Sequence, residues 1–163
     1  SLITSRSNPV FNGVYKMAAI EKDGEIVPKI KVSENIEKIT NPGFKKVYRL
    51  YDRSTGKAEA DYICLHYETV DDSKPLELCD PEARWKTKIM DNFRAEELLV
   101  PIFKNGEQVY NTPSLEEIRA NCREKLDTLW EEVKRFDNPH NYYVDLSDEL
   151  MELKDTMLMK GRG

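Results

Sequence analysis

Long apolar runs are missing from this chain of 163 residues. No segment reaches the roughly 18 consecutive apolar residues that a membrane-spanning helix needs, and no secretory pattern opens the sequence. Cysteine is scarce: Cys64, Cys79 and Cys122 are an odd number at wide spacing, which excludes a disulfide framework and a zinc motif. Histidine is scarcer still, with only His66 and His140, neither beside another ligand residue. There is no glycine-rich phosphate loop and no nucleophile set beside a base. These absences exclude most self-contained enzyme sites and point to a reducing, cytoplasmic setting. The opening residues, Ser1-Leu2-Ile3-Thr4, read as the interior of a fold.

What is present is charge and short alternating segments. Charged residues make up 34% of the chain and hydrophobic residues 39%, so a well-solvated surface is expected, or a piece whose partner surface lies elsewhere. The net charge of −5 is unevenly spread. Residues 1–60 hold eleven Lys/Arg against seven Asp/Glu, and residues 61–163 hold fourteen against twenty-three. The basic third either meets a phosphate-bearing ligand or faces the acidic remainder.

The pattern predicts an α+β fold, with a mostly antiparallel β region, a long amphipathic helix and a short C-terminal helix. Residues 14–21 read as a strand apolar on both faces, hence buried. Asp23-Gly24 is a turn signal. Residues 26–32 alternate, with Pro28 arguing for an edge. Residues 45–52 and 58–65 are strands joined by a loop at 52–56, and the four strands predict an antiparallel meander. Residues 71–82 read as a surface loop. Trp85 to Met90 alternates again, and Asn105-Gly106 is the preferred type I′ hairpin turn.

The period then changes. Ser114 and Glu117 form a capping box. Leu115, Ile118, Cys122, Leu126, Leu129, Val133 and Phe136 fall within an arc of roughly 80° at helical spacing, which predicts one helix packed against the sheet, with Cys64 and Cys122 in the core. Asn138-Pro139 stops it, 142–144 reads as a short extended link, and Ser147 caps the last helix with Leu146 and Met151 as a hydrophobic staple. Gly161 to Gly163 reads as a frayed end.

The candidate chemistry is cationic. Lys29, Lys31, Lys38, Lys45 and Lys46 lie within eighteen positions, followed by Arg49 and Arg53. Such a cluster can hold a phosphate, or it can be a solvated face that protects a sheet edge. Nucleic acid is disfavoured, because no aromatic residue lies between Lys29 and Phe44 to stack a base. Thr40-Asn41-Pro42-Gly43 is a turn whose N–H groups can face an anion, or simply a turn. The adjacent pairs Asp71-Asp72, Glu96-Glu97, Glu116-Glu117 and Glu131-Glu132 point apart and read as solvated charge. On its own residues the chain shows no catalytic, cofactor-binding or metal site.

Several stretches, in order, resemble one family. SLITS followed after a spacer by GVYKMAAI, then KIKVSENIEKITNPGFKKVYRLYD, LLVPIFKNGE, TPSLEEIRANCREKLDTL and FDNPHNYYVDLSDELMEL are similar to the C-terminal portion of bacterial long-form nicotinate phosphoribosyltransferases. The resemblance implies a parent enzyme that joins nicotinate to the ribose of phosphoribosyl pyrophosphate in NAD salvage. ATP hydrolysis with Mg²⁺, through a phosphorylated histidine, would drive that reaction. It implies an irregular α/β barrel with a second domain, assembled as a homodimer. Residues 1–12 would then end the barrel, and 13–163 would form the C-terminal domain, with a β region at 13–112 and a helical region at 114–160. The phosphorylated histidine and glycine loop have no match here, so no site residue is carried over. Lys29, Lys31, Lys45 and Lys46 remain candidates for lying near the phosphate end. The expected partner is the barrel part of the same enzyme, with no membrane or nucleic acid. The competing expectation is a free-standing interaction or regulatory module that binds a partner or phosphate ligand.

Overall fold

The computed structural model describes residues 13–35, 38–81 and 83–160; the proposed barrel end at 1–12 and the frayed end at 161–163 lie outside them. The centre is a four-stranded sheet in the order β10 (Tyr143–Leu146), β4 (Ala58–Leu65), β3 (Lys45–Asp52) and β7 (Phe93–Glu97). Strands β3 (Lys45–Asp52) and β4 (Ala58–Leu65) form its spine as an antiparallel hairpin. Their turn closes because the Asp52 carboxylate accepts from the Ser54 and Thr55 N–H groups at 2.9 and 2.7 Å. Strand β7 (Phe93–Glu97) flanks β3 antiparallel.

Strand β10 (Tyr143–Leu146) lies parallel to β4, with Asp145 opposite Tyr62. This corrects two expectations. The 142–144 stretch is not a link, and the sheet is mixed rather than a meander. The hairpin of β1 (Ala19–Lys22) and β2 (Glu25–Pro28) forms its own two-stranded sheet. It is tied on through the Ala18 carbonyl, which accepts from the Lys29 and Gly43 N–H groups. Of the expected strand at 14–21 only 19–21 pairs, and Val14, Tyr15 and Met17 are exposed rather than buried, with no further strand over them among the described residues. Pro28 ends β2 on a two-stranded sheet, as its missing N–H requires.

Two smaller hairpins complete the β region. Strands β5 (Leu76–Cys79) and β6 (Thr87–Met90) pair antiparallel, so the 71–82 stretch read as loop contains a strand. Strands β8 (Phe103–Lys104) and β9 (Glu107–Gln108) flank Asn105-Gly106, both at positive φ as a type I′ turn demands. The core joins Leu50, Ala60, Cys64, Leu78, Met90 and Phe93, all buried. A second cluster joins Leu65 and Leu146 to Leu150 and Met151 on helix α3 (Asp148–Lys160). Ser147 caps that helix, its Oγ accepting from Leu150 N–H at 3.2 Å, and the Leu146–Met151 staple is buried.

The helical region departs most from expectation. Helix α1 (Leu115–Asp127) carries the full capping box at Ser114 and Glu117. It stops at Thr128, whose hydroxyl donates to the Lys125 carbonyl at 2.7 Å, and Trp130 is extended before the short α2 (Glu131–Lys134). No residue of α1 is buried, and Cys122 is exposed rather than in the core. The stripe is therefore not packed on this sheet: Leu115 is 63% exposed and Phe136 99%. The C-terminal end of α1 alone is fastened, with Lys57 Nζ donating to the Asp127 carbonyl at 2.7 Å and Ala58 N–H to Thr128 at 2.9 Å.

One fully buried hydroxyl is out of balance. Thr40 is 7% exposed, and its hydroxyl has no hydrogen-bond partner among the described residues. Removing an unsatisfied hydroxyl while keeping the shape is favourable. Thr40→Val is expected to stabilise the chain by about 1 kcal/mol in urea denaturation; a loss of stability would show that the hydroxyl is bonded.

Candidate functional site

The seven candidate cations divide into two groups. Four are engaged with the chain itself. Lys45 Nζ donates to the Asn41 and Gly43 carbonyls at 2.8 and 2.6 Å, and burial lowers its pKa. Arg49 grips Asp61 in a two-bond fork, each N–O distance 2.8 Å. That bond is the largest cause holding its guanidinium above the usual range. Arg53 meets Asp72 at 3.0 Å and donates to the Phe93 carbonyl at 2.5 Å. Lys46 lies 3.9 Å from Glu97. The side chains of Lys29, Lys31 and Lys38 make no such contact among the described residues, and only these retain capacity for an outside anion.

The Asn41-Pro42-Gly43 turn is likewise committed. Gly43 sits at φ +91°, and a Cβ there would lie 2.6 Å from Leu65 Cδ2. Its N–H bonds Ala18 at 2.7 Å and so is not presented to an anion. The carboxylate pairs are less solvated than expected. Glu96 bonds Lys125 at 2.6 Å and Arg94 at 3.1 Å, chiefly the former lowering its pKa. Asp72 accepts from Ala95 N–H at 3.0 Å. His66 meets the Phe44 ring at a tilt and the Tyr67 ring edge-on, and the His140 backbone N–H donates to the Glu132 carbonyl in the turn after α2. Burial pushes the Cys64 thiol up to about 11, which leaves it unreactive.

Sequence reasoning missed a concavity between the sheet and the β5–β6 hairpin. It has a volume of about 300 Å³ and is bordered by Asp80, Trp85, Lys86, Lys88 and Asp145. A second, of about 670 Å³, shares Asp80, Lys86 and Asp145. The missed signal is Asp145 itself, an acid inside the β-forming run Tyr142 to Leu146.

The sheet order and the flanking helices make this a mixed α+β domain. A family model described as the nicotinate phosphoribosyltransferase C-terminal domain matches residues 44–154, and the chain belongs to that family. It is 43% identical over 148 residues to nicotinate phosphoribosyltransferase of Bacillus subtilis (strain 168), covering 91% of this chain and 30% of that protein. The Caenorhabditis elegans enzyme of the same name is 30% identical over 161 residues, covering 98% of this chain and 28% of the relative. The crystal structure of human nicotinic acid phosphoribosyltransferase superposes with a TM-score of 0.65 at 28% identity, over 72% of this chain and 23% of the human one. The chain thus spans less than a third of the length of these relatives.

Proposed function

We propose that this chain is the C-terminal supporting body of an enzyme that forms nicotinate mononucleotide and pyrophosphate from nicotinate and phosphoribosyl pyrophosphate, coupled to ATP hydrolysis. In this reading residues 13–163 form the C-terminal domain, residues 1–12 end an α/β barrel, and the bond-making groups stand on polypeptide outside this chain. The whole enzyme works in the cytoplasm as a homodimer. The observation that carries the proposal is the family match joined to an apolar face of α1 that this chain leaves open, Leu115, Ile118 and Leu126, with Phe136 also exposed beyond α2. A stripe at helical spacing is apolar for a reason, and contiguous exposed apolar surface marks an interaction face.

In this reading ATP and Mg²⁺ are held by polypeptide outside this chain. Among the described residues no group of three or more His, Cys, Asp and Glu is placed to hold a metal ion, and four of the seven candidate cations are already paired. No step is therefore assigned to this chain beyond support and assembly. No helix among the described residues is long and apolar enough to cross a membrane.

The test is a pair of charge substitutions, Leu115→Asp with Phe136→Asp, in the full-length enzyme. Both side chains are mostly exposed here, so the isolated chain keeps its circular dichroism. The full enzyme is expected to lose its assembly and at least about tenfold of its nicotinate mononucleotide formation, because burying an unpaired charge is costly. Unchanged assembly and turnover would remove the supporting role from this face.

A further inference from the structure

The concavity beside β10 holds an unmatched charge. Three carboxylates border it, Glu59, Asp80 and Asp145, against two cations, Lys86 and Lys88. Lys88 is spent on Glu59 at 2.7 Å, and Glu59 also accepts from the Trp130 indole at 2.9 Å. Lys86 lies 4.0 Å from Asp80, which also accepts from Ala83 N–H at 3.1 Å. Asp145 is 5% exposed and has no hydrogen-bond or ion-pair partner among the described residues. A buried carboxylate without a partner is costly. Burial first, then the negative charge of Asp80, raises its pKa above the usual 3.8, with Lys88 opposing.

The mouth has an aromatic cover. Trp85 borders the cavity and is 81% exposed, with the Lys86 ammonium 5.2 Å from its ring centroid on one face. Leu78 and Ala60 form an apolar floor. An apolar body with one nitrogen cation matches this lining: the floor takes the carbons, Asp145 takes the N–H donors, and the indole, which already draws the Lys86 ammonium, takes the positive charge on its remaining face. A divalent metal matches it poorly, since no three ligand residues converge among the described residues. An anion has only the two committed lysines to meet.

We propose that this cavity is a binding site for a single alkylammonium or guanidinium group, with Asp145 as its counter-ion and Trp85 as its cover. The group is either a lysine or arginine side chain from parent polypeptide outside this chain, or a free amine. The site stands on the cavity and its charge balance, and does not depend on the proposed reaction.

Butylguanidinium is the probe, and neutral butylurea its control. Titrated at pH 7 into this chain, butylguanidinium is expected to change Trp85 fluorescence saturably, while butylurea binds about thirtyfold or more weakly. Asp145→Asn is expected to weaken butylguanidinium binding by about thirtyfold or more, and Trp85→Ala by about threefold. Carbon-13 NMR of the Asp145 carboxyl should show its titration moving to lower pH on binding. Without ligand, Asp145→Asn should stabilise the chain at neutral pH. The unfolded Asp145 ionises at 3.8 and the folded one only at higher pH, so the gain is full above the folded value and vanishes below 3.8.

The longer parent polypeptide separates the two sources. If its own side chain fills the cavity, Asp145 titrates at the lower pH with no probe added, and the probe does not bind. If the ligand is free, both polypeptides bind the probe alike. The proposal fails if this chain binds butylurea as well as butylguanidinium, if Asp145→Asn binds unchanged, or if neither compound binds and Asp145 titrates identically in both polypeptides.

Discussion

Phe93→Ala is expected to destabilise the chain by about 3–5 kcal/mol. Phe93 is fully buried and opens β7, the edge strand held to β3 by pairing with Asp52. Its ring joins Leu50, Ala60, Leu78 and Met90, so it links the four-stranded sheet to the β5–β6 hairpin. Truncation removes the transfer energy of the ring and leaves a void between two elements that cannot both collapse into it. The Phe93 carbonyl also accepts from Arg53 at 2.5 Å, which anchors the backbone and limits relaxation. Urea denaturation gives the value directly. A change below about 1 kcal/mol would mean that the hairpin does not pack on the sheet through this residue.

Asp61→Ala is expected to cost about 3 kcal/mol, the range for breaking one side of a mostly buried ion pair. The two side chains are 22% and 15% exposed. Asp61 faces Arg49 across the β3–β4 register and accepts two of its N–H groups as well as the Tyr142 hydroxyl at 3.1 Å. Burial first, then the Asp61 charge, raises the Tyr142 pKa, so the phenol stays protonated and donates. Removing Asp61 strands the guanidinium and the phenol together. The doubly substituted Arg49→Met, Asp61→Leu chain should recover most of the loss, because an apolar pair leaves no orphaned charge. Equal losses in the single and double variants would show that the cost comes from losing the pair itself and not from stranding the guanidinium.

What the sequence made legible is local. Asp23-Gly24, Asn105-Gly106, the Ser114–Glu117 box and the Ser147 cap each depend on residues within four positions, and each stands as read. The hidden part is what distant segments do to one another. A parallel β10 beside β4 joins residues 83 positions apart (Tyr62 and Asp145), and four residues carry too little pattern to announce it. The stripe from Leu115 to Phe136 shows which face is apolar, but not what covers it, and Thr128 divides it. The cations were visible as a cluster. The pairing of three of them with Asp61, Asp72, Glu97 and the Phe93 carbonyl was not, because those partners are distant in sequence.

The central claim is that this chain supports chemistry performed elsewhere in its parent enzyme. The most direct measurement is nicotinate mononucleotide formation from nicotinate, phosphoribosyl pyrophosphate and ATP, assayed side by side for this chain and for the full-length polypeptide. Product is expected from the full-length enzyme and none above background from this chain. Turnover by this chain alone would place the reacting groups within it and contradict the account.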